Sequence, residues 1–281
     1  MSETGEEHTA LFTFGDTQLD HEGAQAAPDT ALSAGGQGLA GIGRQLLEAP
    51  GSEARQALMR EVIQRAGFDS LCYCHIVRIG EFVSRAAWFD TYSPPGWAER
   101  YGREQFFQID PRVAYACRFE WPFAWDLESM FSTPMAERCE AFARRFSHAA
   151  KQAGLQSGVS VGLATGNPLE HCIITLSSTQ TGRGWIADTT LGEAYAIGVG
   201  LHTFIEARAR SLLPSLTADT LNDVQRSILR FVTQGLSDRE MAESLSMSAH
   251  NVGYHLRQLK KIYNAQNRVQ LAYIAGCILG D

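Results

Sequence analysis

The chain has 281 residues, 44% hydrophobic and 20% charged, which is room for two domains each with a core of its own. Its formal net charge is -7, but residues 1–35 hold seven carboxylates and no Lys or Arg, so the remainder is neutral and a local basic surface is not overwhelmed. No apolar run approaches the ~20 residues of a membrane span, and the acidic N-terminus lacks the basic and apolar regions of a signal peptide. No membrane partner is expected. The six cysteines are scattered without a Cys-x-x-Cys pair, as small buried hydrophobes of a reducing cytoplasm would be.

In chain order, residues 1–35 read as a disordered acidic tail. Within it only Leu11-Phe12-Thr13-Phe14 offers a patch that can dock. On this reading, deleting 1–35 costs no more than about 1 kcal/mol. Ala57, Leu58, Val62 and Ile63 space a helix over 53–66, and Gly67 stops it. Leu71–Ile79 and Ser84–Thr91 read as strands, and Ser93-Pro94-Pro95-Gly96 as a turn. Helical patterns follow at 97–106, 111–119 and 135–153, broken by Gly154 and Gly158. Val159–Ala164 and His171–Ser178 read as strands flanking Thr165-Gly166-Asn167-Pro168. A long helix spans 183–212, with Leu191, Ala194, Ile197, Leu201, Phe204, Ile205 and Leu212 at three- and four-residue steps, and Pro214 beyond it.

These elements predict an α+β chain. Residues 36–212 form an α/β/α sandwich that senses and dimerises, 213–220 a linker, and 221–281 an all-α helix-turn-helix domain. In the latter, a helix over 222–233 buries Val224, Ile228, Leu229 and Val232 before Gly235. Ser237 caps the next helix, with Glu240 completing a capping box. Ser248 caps the third, whose stripe of Val252, Leu256, Leu259 and Tyr263 is buried. His250, Asn251, Tyr254, Arg257, Lys260 and Lys261 are left to meet DNA, and no carboxylate follows as far as Tyr263. Asn can read adenine, Arg can read guanine or hold phosphate, and Lys mostly holds phosphate. The plainer alternative is a solvated surface helix, against which capping, spacing and charge sign agree. A recognition helix of this kind reads palindromic half-sites of double-stranded promoter DNA as a dimer, and the long helix 183–212 is the expected pairing element.

Leu221, Gly235, Ser237, Glu240, Ala242, Leu245, Ser248, Val252, His255, Leu256 and Arg268 together resemble the helix-turn-helix of the LuxR family of transcription regulators. The chain departs from it with Gln225 for Glu, Asn251 for Thr, and Gly253 for a Lys that commonly contacts DNA.

Upstream, Trp97-x3-Tyr101-x8-Asp110-Pro111-x13-Trp125 places aromatic walls around one carboxylate acceptor. That suits a small ligand with an apolar tail and a polar head. Taken singly, the aromatics are core residues and Asp110 is the cap of a helix begun by Pro111. Taken jointly, with Gly158 and Thr175, they resemble the autoinducer-binding domain of quorum-sensing LuxR regulators. The resemblance implies an N-acyl homoserine lactone as the signal. Trp97 would bond the lactone carbonyl and Asp110 the amide N–H, with Tyr101 and Trp125 as walls. Tyr92, one residue further from Trp97 than usual, would meet the amide carbonyl, and Thr175 would lie near the third acyl carbon. Gly162 replaces a common Pro, and Trp125 to Gly158 is about five residues longer than usual. The resemblance implies RNA polymerase as a further partner, no cofactor and no catalysis. A regulator of the same build that answers another small molecule, or none, is the alternative reading.

Gly158-Val159-Ser160-Val161-Gly162 has the spacing of a hydrolase nucleophile elbow, but a helix precedes it and a strand follows, the reverse of what the elbow needs. Cys72, Cys74, His75, His148, His171 and Cys172 lack paired metal-ligand spacing.

Overall fold

The computed structural model describes residues 11–20, 41–131, 140–216 and 221–279. Strand β2 (Ser70–Ile79) is buried along nearly its whole length. Its apolar run is continuous because both of its faces are covered. Alternate side chains enter different cores: Leu71 and Tyr73 on one side, Cys72, Cys74 and Ile76 on the other. Around it lie β1 (Leu11–Phe14), β3 (Phe82–Phe89), β4 (Phe123–Asp126), β5 (Ser157–Ala164) and β6 (Glu170–Ser178). They form a six-stranded sheet of order β1-β3-β2-β6-β5-β4. Only the β1–β3 pairing is parallel.

Three helices cover the first face: α1 (Ile42–Glu48), α2 (Ser52–Arg65) and α7 (Asp188–Ala209). Ile42, Leu46, Met59, Ile197, Leu201 and Phe204 pack there on Tyr73, Phe89 and Ile174. The second face is covered by α3 (Trp97–Arg103), α4 (Pro111–Ala116), α5 (Leu127–Met130) and α6 (Glu140–Gln152). Here Trp97, Tyr101, Phe106 and Phe146 meet Cys74 and Trp88. The result is an α/β/α sandwich. The helix predicted from 183 begins at Asp188, because Trp185 packs edge-on against Phe68 and donates its indole N–H to Ser157 Oγ at 2.9 Å. The end of α4 leaves no room for a side chain at Gly162, where a Cβ would lie 2.0 Å from the Ala116 carbonyl oxygen.

The expectation of a disordered tail fails for residues 11–20; residues 1–10 and 21–35 lie outside the described residues. Leu11–Phe14 adds β1 to the sheet edge, and Phe14 and Leu19 are buried in the first core. Asp16 is buried against the Arg55 guanidinium at 2.6 Å, which also holds Asp20 at 2.6 Å. Burial pushes the Asp16 carboxyl above its ordinary range against the pull of Arg55. Acidic composition hid these contacts, because the partner cation lies in α2.

The C-terminal part comprises α8 (Asp223–Thr233), α9 (Asp238–Ser244), α10 (Ala249–Ile262) and α11 (Arg268–Leu279). Its core continues into the sandwich, for Val77, Ile79 and Leu169 cluster with Leu216, Leu221 and Ile228. Leu216 in that cluster and Leu213 in the first core are both buried, inside the stretch read as a linker. The buried Glu170 carboxylate accepts from Ser215 Oγ at 2.5 Å and from the Leu216 N–H at 3.1 Å. Arg85 of β3 donates to the carbonyls of Ser215 and Ile262 at 3.1 and 3.0 Å, joining the sheet to the end of α10.

Two predictions follow from these buried charges. Arg55→Met leaves Asp16 buried and unpaired and should cost about 3–5 kcal/mol in urea unfolding; a loss below about 1 kcal/mol would return residues 11–20 to the tail. Burial lowers His75 to about 3 and His202 to about 4, so both are neutral when folded and titrate near 6.5 when unfolded. Their neutral burial stabilises fully above pH ~6.5, and that stability is lost as pH falls towards 4, at up to ~1.4 kcal/mol per pH unit for each ring. His75, with both ring nitrogens unbonded, can be replaced by Leu. Unfolding curves between pH 7 and 4.5 should show a shallower acid slope in His75→Leu than in the wild type.

Candidate ligand pocket and nucleic-acid interface

The turn at Ser93-Pro94-Pro95-Gly96 ends with Gly96 in the left-handed region (φ 71°), which starts α3 at Trp97. Tyr101, one helical turn on, shares its inward face. Asp110 caps α4 by accepting the Arg112 N–H at 3.0 Å, with Pro111 in the first helical position. Trp125 lies on β4 opposite Gly158, and Thr175 lies on β6 opposite Ser160. The hydroxyls of Thr175 and Ser160 are 2.9 Å apart. The structure brings Trp97, Tyr101, Asp110, Trp125 and Thr175 together on the second face of the sheet.

Tyr92 is not among them. It lies in the first core, where its O–H donates to Asp16 at 3.3 Å. It sits in the bend after β3, which turns its side chain to the first face of the sheet, so the expected contact of Tyr92 with the amide carbonyl is withdrawn.

A residue that sequence reasoning missed occupies the centre. Arg112, buried, donates from Nη2 to Asp110 Oδ2 at 2.7 Å and from Nε to Oδ1 at 3.0 Å. Its guanidinium stacks over Trp125 at 4.5 Å and faces Phe146 at 5.5 Å. The signal for it was a cation in the first turn of a helix, where the macrodipole disfavours positive charge. Such a residue needs another reason to be there. Tyr101 donates to Asp110 Oδ2 at 2.9 Å. Burial, and then the Asp110 charge, hold its phenol well above the ordinary value, so the O–H stays on. Burial likewise pushes the Cys72 thiol up to about 12 and keeps it protonated.

The cavity between these groups is about 20 Å³, room for about one water. Asp110 and Val113 also line a neighbouring space of about 550 Å³, walled by Val83, Phe107, Ile109 and Phe119, with Arg78 and Arg118 on its lining. That size suits a small ligand. Ser160 sits mid-strand with its hydroxyl shared with Thr175, so it is no nucleophile elbow. No group of metal-ligating residues occurs among the described residues.

On α10, His250, Asn251, Tyr254, Arg257 and Lys261 are exposed and Lys260 is half-buried, while Val252, Leu256 and Leu259 face inward. Ser248 caps it by accepting the Asn251 N–H at 3.2 Å. On α9, Glu240 accepts the Ser237 N–H at 2.7 Å, closing the capping box. The module's described ion pairs are Arg239–Glu243 and Arg268–Asp238, which leaves Arg257, Lys260 and Lys261 without a carboxylate among the described residues. Gly253 lines a groove with Arg257, Lys260, Arg268 and Asp238, and the nearest atom to a Cβ placed there is Arg257 Nη1 at 3.6 Å.

Residues 52–202 match the autoinducer binding domain family, and residues 219–275 match the bacterial regulatory proteins of the luxR family. The transcriptional activator protein SolR of Ralstonia nicotianae is 26% identical over 213 residues, 74% of this chain and 84% of that protein. The quorum-sensing regulator RhlR of Pseudomonas aeruginosa is 24% identical over 228 residues, 79% of this chain and 87% of RhlR. The crystal structure of Escherichia coli SdiA superposes with a TM-score of 0.55 at 20% identity, covering 83% of this chain and 93% of SdiA, a likeness of fold. The chain belongs to the LuxR-type quorum-sensing regulators, a family of transcription regulators and not of enzymes, with an autoinducer-binding domain ahead of its DNA-binding domain.

Proposed function

We propose that this regulator binds an N-acyl homoserine lactone in its N-terminal sandwich and a palindromic promoter site as a dimer. The observation that carries the first half is the convergence of Trp97, Tyr101, Asp110, Trp125 and Thr175 beside a cavity of about 550 Å³. Trp97 would meet the lactone carbonyl, Tyr101 and Trp125 wall the head, and Thr175 lie near the third acyl carbon. The sensing domain would span 36–212 and the DNA-binding domain 221–281, joined through 213–220. Pairing through α7 would use its Tyr195 side, since Ala194, Ile197, Leu201 and Phe204 are spent inside the protomer. His250, Asn251, Tyr254, Arg257, Lys260 and Lys261 would meet DNA, and RNA polymerase would be the further partner in a cytoplasmic protein. The alternative, a regulator that answers another small molecule or none, draws support from Arg112 filling the head of the pocket.

Thermal unfolding in the presence of lactones of graded chain length tests the signal. At a hundred times its Kd, the matching lactone should stabilise the protein by ~2.7 kcal/mol; no shift with any chain length would sink the assignment. The DNA half rests on the placement of α10. Gly253→Lys adds a cation where the groove is open, so it should raise affinity on all sequences. It should steepen the salt dependence by ~0.9 log units per log salt per protomer, the value for one added phosphate contact. An unchanged slope on a palindromic operator means that residue 253 does not face phosphate.

A further inference from the structure

We infer that Ser177 is a further ligand-binding residue, which reads the ring of the signal by donating its hydroxyl to the ring carbonyl. This rests on the lactone reading above and adds a contact at the far end of the head. Ser177 is 1% exposed and lines the head cavity, and its hydroxyl has no partner among the described residues. Buried hydroxyls are nearly always hydrogen-bonded, so this one is open to a partner from outside the chain. Thr175, its neighbour on the same face of β6, is already spent on Ser160 Oγ at 2.9 Å. Trp125 holds a second idle group: its indole N–H, a donor only, is buried without a partner. The sheet register sets the two residues in one row, Trp125 opposite Gly158 and Gly158 opposite Ser177. Idle donors at both ends of a row that has no side chain at its centre suit the oxygens of an ester ring.

The register also says which part of the signal comes here. Ser177 pairs with Ser70, Thr175 with Cys72, and Glu170 with Val77. Arg78, on the lining of the 550 Å³ cavity, is therefore at the opposite end of β2 from Ser177. A tail in that cavity points the ring toward Ser177. The lengths agree. Alternate residues on one face of a strand are about 6.6 Å apart. From the third acyl carbon, beside Thr175 in the reading above, one C–C bond and a trans amide reach the ring in about 5 Å. The ring carbonyl then falls at Ser177. Its oxygen has two lone pairs, so Ser177 can share it with Trp97. At about 20 Å³ the head cavity must widen to admit a ring. Ser177 keeps its place when it does, because β6 is paired on both sides. The head that satisfies this site is an oxygen-bearing ring, and a carbocycle of the same size leaves the hydroxyl stranded.

The test is calorimetric titration of the full-length protein with two probes: N-octanoyl homoserine lactone, and N-cyclopentyloctanamide, which keeps the chain and the amide but has no oxygen in or on its ring. Ser177→Ala should weaken the lactone about threefold to tenfold, the range of one neutral hydrogen bond, and leave the cyclopentyl amide within about twofold. If the amide is too weak to titrate, its competition against the lactone supplies its affinity. Ser177→Cys, whose thiol is a weak donor, should behave as Ser177→Ala does and serves if the alanine variant fails to fold. Without ligand, Ser177→Ala should melt no lower than the wild type, since it removes a hydroxyl that has no partner. A clearly lower melting temperature means that the hydroxyl has a structural partner and overturns the inference. Equal weakening of both probes, or of neither, also overturns it and leaves the lactone reading standing. Binding of neither probe by the wild type overturns the lactone reading and this inference together.

Discussion

Three carboxylates taken out of water organise this molecule, because each had to bring its partner with it. A buried charge left unmatched costs several kcal/mol, and a matched one costs much less. Asp16 with Arg55 fastens the N-terminal segment across α2. Asp110, paired with Arg112 in its own helix, accepts the Tyr101 O–H and so ties the start of α4 to α3. Glu170 fastens the Ser215–Leu216 backbone to the end of β6. In each case the apolar cores supply most of the stabilisation, and the ion or hydrogen-bond cluster decides which piece of chain lies where.

The same logic explains why the two halves of the protein meet as they do. β2 runs from the pocket, where Cys72 and Cys74 line the cavity, to Val77 and Ile79, which pack with Leu216 and the C-terminal helices. Arg85, on the neighbouring β3, reaches both the Ser215 carbonyl and the last turn of α10. A cation at a helix C-terminus is well placed, since the unsatisfied carbonyls there carry partial negative charge. The sheet is thus in direct contact with the end of the helix that carries Arg257, Lys260 and Lys261.

Much of this was legible in the sequence where periodicity was strong. β2, β3, β5, β6 and α2 lie within a few residues of their predicted spans, because long apolar alternation or a full amphipathic stripe marks them. The caps at Ser237 and Ser248 were legible from residue type alone. β1, α1, β4 and α5 were not. Each is seven residues or shorter; a partner distant in sequence defines three of them, β3 for β1, α7 for α1 and β5 for β4, and α5 is a single turn capped by Asp126. In the site, Trp97, Tyr101, Asp110, Trp125 and Thr175 could be grouped only through their joint spacing. Tyr92 was misplaced because spacing does not say which face an irregular segment presents. Arg112 was invisible to a search for apolar walls and one acceptor, since a cation had no part in that pattern.

The Asp110–Arg112 pair also bears on how a pocket this full can answer a signal. A close-packed core does not deform continuously; it changes by moving a group between two places that can hold it. Trp97 and Ile173 are buried among apolar neighbours and make no side-chain hydrogen bond among the described residues. Arg112 differs from them. It is long and flexible, its guanidinium is held by three donor–acceptor contacts with Asp110, and the residue beside it, Val113, borders about 550 Å³ of open space. A ligand moves such a group only to the extent that it binds the two arrangements unequally. A carbonyl that takes hydrogen bonds from the guanidinium supplies that inequality, and an apolar tail in the larger space does not. Head chemistry would then govern the switch while tail length governs affinity, two properties that a single binding pocket otherwise ties together.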